Sequence, residues 1–198
     1  MKFQSEPNTS AGEFFELLEN SGYRWPAKIE GAAKQNGFTV PQGTTVLAFH
    51  FQGGVLVAGD RRATAGNSIM YELCDKVIPI DDYTLMAIAG VPATAFEMAR
   101  VLSHNFEYYR RSQLQSMSIE GKIRALSKLL EENVGMAVQG LGVVSPIFAT
   151  YDPAGKKSRI HFYDMLGADF QIRTHTATGS GSQIIRGILE HEDLWGEK

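Results

Sequence analysis

With 198 residues, the chain is long enough for one domain of ordinary size that buries a substantial core. Its 43% hydrophobic and 21% charged residues are typical of a soluble globular protein, and no apolar run approaches the length of a membrane span. The net charge of −3 gives no electrostatic reason to expect nucleic acid or a membrane surface as a partner. The single cysteine, Cys74, excludes an intrachain disulfide, and the N-terminus lacks the apolar stretch of a secretory signal, so we expect a cytoplasmic protein.

The first 43 residues differ in character from those that follow. Ser10 and Glu13 have the spacing of a capping box, and Phe14, Leu17 and Leu18 would share one face of the helix that this spacing predicts. Proline and glycine then interrupt the segment as far as residue 43. The segment is either a helical arm that packs on the domain or a removable prosegment, and the second reading needs support from the residues that follow.

After residue 43 the pattern predicts strands, two helices and strands again. Residues 46–51 and 55–58 are short apolar runs around Gln-Gly-Gly, which is typical of a hairpin, and a further strand is predicted at 84–89. Apolar residues then repeat at i, i+4, i+7 and i+11 from Val91 and again from Ile119, which predicts two helices.

Strands return at 143–151, 159–164 and 170–177, and a last helix is predicted from 182 to about 191. Hairpin strands followed by two consecutive helices and more hairpin strands indicate an α+β layered domain. A doubly wound parallel sheet would instead alternate strands with helices.

Three polar residues could carry chemistry. Thr44 opens the first strand, Asp60 lies in Gly-Asp-Arg-Arg-Ala-Thr at the end of the second, and Lys76 lies in Cys-Asp-Lys-Val. Each has an ordinary structural reading, because threonine favours strands, aspartate begins turns and lysine is commonly solvated. Their spacing is more specific: Asp60 follows Thr44 by sixteen residues, Lys76 follows Asp60 by sixteen, and Gly90 lies fourteen further on.

These motifs, together with Gly-Ser-Gly-Ser at 179–182, resemble the β subunits of the core proteasome, most closely those of the bacterial, actinobacterial type. That family belongs to the N-terminal-nucleophile hydrolases, and the resemblance covers about residues 40–190. It implies a four-layer α-β-β-α sandwich of antiparallel sheets. It also implies a threonine-type endopeptidase that cleaves itself between Gly43 and Thr44, which would remove residues 1–43 as a prosegment and leave 44–198 as the hydrolase domain.

The chemistry explains the residue types. A threonine hydroxyl is a poor nucleophile at neutral pH and needs an adjacent base. Cleavage before Thr44 would create an α-amine, with a reference pKa of about 8, that can accept the hydroxyl proton. Lys76 would stabilise negative charge on the Thr44 oxygen, and Asp60 would keep that ammonium charged and oriented. Whether the amine or Lys76 is the operative base stays open.

The resemblance implies further roles in binding and catalysis. The Gly90 N–H would donate to the oxyanion, Thr64 and Gly90 would pair with the substrate backbone, and Ser180 would steady the Thr44 amine. The pocket for the side chain before the scissile bond would be uncharged, which predicts a preference for large apolar residues. Its lining would be Ala63, Cys74, Ile78 and Ile88, with Met70 nearby.

The resemblance also implies the partners. These are homo-heptameric β rings stacked in pairs, capping rings of proteasome α subunits, an unfolding ATPase and unfolded polypeptide substrates. No cofactor, metal, nucleic acid or membrane is expected. Enclosing the site in a chamber would keep a nonspecific protease from folded proteins.

Two features depart from the family pattern. Family members continue past the helix near His191 with a further helix and strands that supply another aspartate and serine, so we expect a truncated domain that forms little active enzyme. Pro92 stands where the family commonly places a small residue at the pocket rim.

Three alternatives compete with the threonine protease. A non-catalytic structural β subunit ranks second, because such subunits typically lack the threonine or lysine that this chain keeps. The simpler two-ring bacterial relative has its nucleophile almost at the initiator methionine, whereas 43 residues precede Thr44 here. A binding module without chemistry does not explain the regular spacing.

Overall fold

The computed structural model describes residues 43–65 and 68–191. The helix predicted near residues 10–22, and the question of a prosegment before residue 43, lie outside the described residues. No helix in the described ranges is both long enough and apolar enough to cross a bilayer.

Strands and helices in the described ranges follow the α+β order that the sequence predicts. In chain order they are β1 (Thr45–Phe51), β2 (Gly54–Gly59), β3 (Ala63–Ala65), β4 (Ser68–Tyr71), β5 (Val77–Asp81), β6 (Thr84–Ala87), α1 (Pro92–Gln113), α2 (Ile119–Val138), β7 (Ile147–Asp152), β8 (Lys157–Tyr163), β9 (Asp169–Ile172), β10 (His175–Gly179) and α3 (Ser182–His191). All paired strands are antiparallel. They form a three-stranded sheet in the order β10-β1-β2, a five-stranded sheet in the order β5-β6-β7-β8-β9, and the small β3-β4 pair.

The two larger sheets face each other, and helices cover their outer faces. Helices α1 and α2 pack on the five-stranded sheet, and α3 packs on β10 and β1 of the three-stranded sheet. The predicted four-layer α-β-β-α sandwich is therefore confirmed. Because period-two alternation sends neighbouring side chains to opposite faces, strands β6 and β7 of the five-stranded sheet each contribute to two cores.

The core between the sheets is built mainly from small and β-branched side chains. Val46 and Ala48 of β1 meet Ala87, Ile147 and Ala149 of the opposing sheet, and all are buried. The alternate residues of the same strands, Met86 and Phe148 among them, fill the second core under α1 and α2. Small residues let the sheets approach closely, which brings the ends of β1, β2 and β5 together at one end of the sandwich.

Helix α1 begins in a way that accounts for Pro92. The proline lies in the first turn after Val91, where a helix has no use for the missing N–H and the fixed φ suits the helix. Helix α2 begins with Ser118, whose side chain accepts a hydrogen bond from the Gly121 N–H.

Two predicted strands need correction, and strand β5 was not foreseen. The predicted strand 170–177 is two strands, β9 and β10, which belong to different sheets. The chain bends between them, and the Thr174 carbonyl accepts a hydrogen bond from the His50 N–H of β1. The strand predicted at 143–151 begins only at Ile147, after an isolated bridge between Val144 and Gly90. Strand β5 was not predicted, because Pro79 lies inside it; the proline is exposed on an edge strand, where its missing N–H is tolerated.

Candidate active site

The site lies where β2 ends and β5 begins. Asp60 directly follows Gly59, the last residue of β2, and Lys76 directly precedes β5. A Cβ added to Gly59 would lie 2.9 Å from Cγ1 of Val46 and 3.5 Å from Cβ of Lys76. Glycine at the end of β2 therefore avoids a collision with Val46 of β1 and lets β2 end in contact with Lys76.

Lys76 is a buried cation surrounded by oxygen atoms. Its Nζ donates to Oδ1 and Oδ2 of Asp60 at 2.9 and 2.8 Å, to the Arg62 carbonyl at 2.6 Å and to the Gly43 carbonyl at 3.1 Å. The side chain is only 4% exposed. An ammonium has three N–H groups, so these four oxygens satisfy it completely and offset part of the cost of its burial.

Asp60 is fixed by three residues. Besides Lys76, the Thr45 N–H donates to Oδ1 at 2.7 Å, and the Arg62 N–H donates to Oδ2 at 3.0 Å. Partial burial raises the pKa of Asp60, but the hydrogen bonds from Lys76 and from the two backbone N–H groups outweigh it, so the pKa lies below its ordinary value. Asp60 is therefore a carboxylate at neutral pH.

Thr44 lies half-buried, one residue before β1, and its backbone is held from the opposite side. Its carbonyl accepts a hydrogen bond from the Ser180 N–H at 2.8 Å and a longer one from Ser180 Oγ at 3.4 Å. Gly179 has φ +96°, and a Cβ there would collide with the Thr44 carbonyl. Glycine at 179 thus permits the close approach of β10 to Thr44.

The peptide bond before Thr44 lies between the lysine and β3. The Gly43 carbonyl is the one that contacts Lys76 Nζ, and a Cβ on Gly43 would meet Oγ1 of Thr64. The backbone at residue 43 therefore runs beside Thr64, one of the residues predicted to pair with a substrate. Gly43 thus lies where the substrate residue before a scissile bond is expected.

Hydrogen bonding between the segments that contain Lys76 and Ile88 brings Gly90 close to this cluster. The Ile88 N–H donates to the Lys76 carbonyl at 2.8 Å, and Gly90 lies two residues further along. Gly90 has φ +127°, and a Cβ would collide with the Val143 carbonyl, so the backbone here requires glycine. The oxyanion role of Gly90 and the amine-binding role of Ser180 stay predictions.

Two of the residues predicted to line the specificity pocket share a groove. Cys74 and Ile78 line a groove of about 660 Å³ between β5 and α1, together with apolar residues such as Phe96 and the charged residues Asp75 and Arg100. The remaining predicted residues lie outside its lining: Ala63 is half-buried in β3, Met70 is 72% exposed in β4, and Ile88 is buried under the helices.

Two contributions to the site were not foreseen from the sequence. The Arg62 carbonyl makes the shortest hydrogen bond to Lys76, and Thr45 is the nearest backbone donor to Asp60. A backbone group carries no signature in the residue type, so nothing in the sequence pointed to Arg62. Among the described residues, no group of three or more His, Cys, Asp or Glu side chains could hold a metal ion.

A helix-covered sandwich of antiparallel sheets, with a threonine before the first strand and a buried lysine–aspartate pair beside it, defines the class of N-terminal-nucleophile hydrolase folds. A family model described as proteasome subunit matches residues 40–195. The chain belongs to the proteasome subunit family.

Curated relatives in actinobacteria carry the name proteasome subunit beta. The chain is 41% identical over 165 residues to one from Streptosporangium roseum, which covers 83% of this chain and 58% of that relative. It is 40% identical over 167 residues to one from Streptomyces griseus, which covers 83% of this chain and 59% of that relative. The chain thus spans about three fifths of the length of the curated relatives it matches.

Proposed function

We propose that this chain is a β subunit of a proteasome core particle, and that it is a threonine endopeptidase activated by its own cleavage at Gly43–Thr44. One observation carries the proposal: the buried Lys76 ammonium, paired with Asp60, donates to the carbonyl of the residue immediately before Thr44. A purely structural lysine would need no contact with that peptide bond. The names of the relatives support the same conclusion.

Self-cleavage follows from this arrangement. Thr44 Oγ attacks the carbonyl carbon of Gly43, and the ammonium of Lys76 stabilises the negative charge that develops on the carbonyl oxygen. The C–N bond breaks, and the hydroxyl proton passes to the departing nitrogen, so Gly43 becomes an ester on Thr44 Oγ. Water then hydrolyses the ester, which releases the Gly43 carboxylate and leaves a free α-amine and hydroxyl on Thr44.

Peptide hydrolysis repeats this chemistry on a substrate. The new α-amine, with a reference pKa of about 8, accepts the hydroxyl proton while Lys76 keeps the surroundings of Oγ positive. Thr44 Oγ forms an ester with the acyl part of the substrate, and the amine part leaves with the proton. Water then hydrolyses the ester, which releases the acyl part as a carboxylate and restores the Thr44 hydroxyl. Gly90 N–H binds the oxyanion, Thr64 and Gly90 pair with the substrate backbone, and Ser180 steadies the amine.

The proposed substrates and partners rest on the family resemblance. We propose unfolded polypeptides as substrates, cut after large apolar residues, because the residues predicted to line the specificity pocket, Cys74 and Ile78 among them, are uncharged. Homo-heptameric β rings stacked in pairs would be capped by α-subunit rings, with an unfolding ATPase feeding the chamber in the cytoplasm.

Labelling with a threonine-directed epoxyketone tests the proposal. Because the chain spans about three fifths of the length of its curated relatives, it is extended by a typical family C-terminus and coexpressed with the α subunit of its own organism. The particles are treated with the probe and analysed by mass spectrometry, and the 198-residue chain alone, treated in the same way, should label little. We expect one label on Thr44 and none after Thr44→Ala, whereas Thr174→Ala, at an exposed threonine, should label normally. Assembled particles that neither label nor hydrolyse peptides would identify a structural subunit instead.

A further inference from the structure

Thr45 connects both sides of the site, although it is not the proposed nucleophile. Its N–H donates to Oδ1 of Asp60 at 2.7 Å, and its carbonyl accepts from the Asp60 N–H at 3.1 Å. Its side-chain hydroxyl accepts from the Gly181 N–H at 2.9 Å. The backbone of Thr45 therefore holds Asp60, while its side chain holds the turn between β10 and α3.

That turn carries Ser180 and is fixed at both ends. On one side the Gly181 carbonyl accepts a hydrogen bond from Ile185 N at 3.2 Å, which joins the turn to the first turn of α3. On the other side Ser180 N donates to the Thr44 carbonyl, and Gly181 N donates to the Thr45 hydroxyl. Two successive N–H groups thus dock on two successive residues of the chain that enters β1.

The fit around the hydroxyl is close. A Cβ added to Gly181 would lie 2.7 Å from Thr45 Oγ1 and 3.3 Å from its Cγ2, so a larger residue would push the turn away from β1. Strand propensity does not explain the hydroxyl, because valine would suit β1 equally well. What threonine adds over valine is an acceptor for the Gly181 N–H.

We propose that the Thr45 hydroxyl is a positioning group that keeps the Ser180–Gly181 turn against Thr44 and so aligns the nucleophile. The inference rests on the proposed function. Without the acceptor, the Gly181 N–H loses its partner. The turn is then held against the chain before β1 mainly by the hydrogen bonds from Ser180 to the Thr44 carbonyl. The hold on Asp60 is unaffected, because only backbone atoms of Thr45 make it.

Two substitutions separate the hydroxyl from the shape of the side chain. Thr45→Val keeps the branched shape and removes the acceptor, whereas Thr45→Ser keeps the acceptor. In assembled particles with the α subunit, we expect Thr45→Val to lower kcat on an apolar fluorogenic peptide about tenfold, with KM changed less than about twofold. Thr45→Ser should restore kcat to within about twofold of the unsubstituted chain, and Thr174→Val, at an exposed threonine in the bend between β9 and β10, should leave it unchanged.

Amide hydrogen exchange gives a readout that does not depend on activity. The Gly181 amide should exchange faster in Thr45→Val than in the unsubstituted chain or Thr45→Ser. If Thr45→Val does not assemble, Gly181→Ala, which crowds the same hydroxyl from the other side, should give the same loss of kcat. Equal exchange, or equal kcat loss in the serine and valine variants, would overturn the inference. Absence of activity in every version would refute the proposed function, and the exchange rates would still decide the role of the hydroxyl.

Discussion

At the scale of single residues, the site is organised by one buried cation. Lys76 is almost fully enclosed, and every oxygen within its reach belongs to a segment that must be in place for chemistry: the end of β2, the chain before β3, and the peptide bond before Thr44. The carboxylate of Asp60 is one-third exposed and is held by backbone N–H groups as well. Without Asp60, the buried ammonium of Lys76 would lose its negatively charged partner, whereas without Lys76 the Asp60 carboxylate would keep its contact with solvent and two backbone N–H donors.

Removing the lysine separates its structural and chemical roles. Lys76→Met should abolish self-cleavage and lower the free energy of unfolding by about 2 kcal/mol, because it leaves carbonyls and a partly exposed carboxylate without their donor. The double variant Asp60→Asn/Lys76→Met should regain part of the stability but none of the cleavage. Urea denaturation and intact mass measure the two effects. Cleavage in either variant would show that Lys76 is dispensable.

Thr64 leaves no room for a side chain at position 43. Gly43→Ala should slow self-cleavage at least about tenfold, because the new Cβ would meet Thr64 Oγ1 and displace the carbonyl from Lys76. Thr64→Ala removes that obstacle, so the double variant should cleave faster than Gly43→Ala alone. A time course by mass spectrometry measures the rates. A double variant no faster than the single one would show that the collision is not the cause.

At the scale of secondary structure, the sequence predicted the strands and helices that have a clear apolar pattern. The β1–β2 hairpin has two apolar runs around Gln-Gly-Gly, and helices α1 and α2 follow a clear 3.6-residue repeat, so their positions could be predicted. The break between β9 and β10 could not be predicted, because no glycine or proline marks the bend and only the pairing with two different sheets reveals it. Spacing located Asp60 and Lys76, but their backbone partners depend on how the strand ends meet.

The β8–β9 pair contains a histidine that should make stability depend on pH. His161 is buried on the helix side of β8, its Nδ1 lies 3.1 Å from Asp169 Oδ2, and Arg159 and Glu120 also act on it. Burial lowers the pKa of His161 below its ordinary 6.5, although Asp169 acts in the opposite direction. The unfolded chain then binds the proton more readily than the folded one, so stability is lost as pH falls below about 6.5.

Urea midpoints between pH 7.5 and 5 measure this effect. The unsubstituted chain should become less stable across the lower part of that range, and His161→Gln should show a flatter profile. His104→Gln, at an exposed histidine, is the matched control and should keep the original slope. An unchanged slope in His161→Gln would mean that another group is responsible.

At the scale of the whole molecule, the groove between β5 and α1 should decide which peptides are cut. Cys74 and Ile78 are uncharged, and the charged residues Asp75 and Arg100 that also line the groove already pair with Arg61 and Glu97. Burying an arginine or glutamate side chain of a substrate against Cys74 and Ile78 would therefore be costly. Assembled particles should hydrolyse fluorogenic peptides ending in leucine or tyrosine faster than those ending in arginine or glutamate. The opposite order of kcat/KM would contradict the proposed specificity.

The central claim is that Thr44 becomes an N-terminal nucleophile. Intact mass and N-terminal sequencing of the chain, after assembly with the α subunit of its own organism, test it most directly. With the chain extended by a typical family C-terminus, we expect residues 1–43 to be lost, Thr44 to be the new N-terminus, and Thr44→Ala to keep residues 1–43. A full-length chain in particles that still hydrolyse peptides would contradict the account.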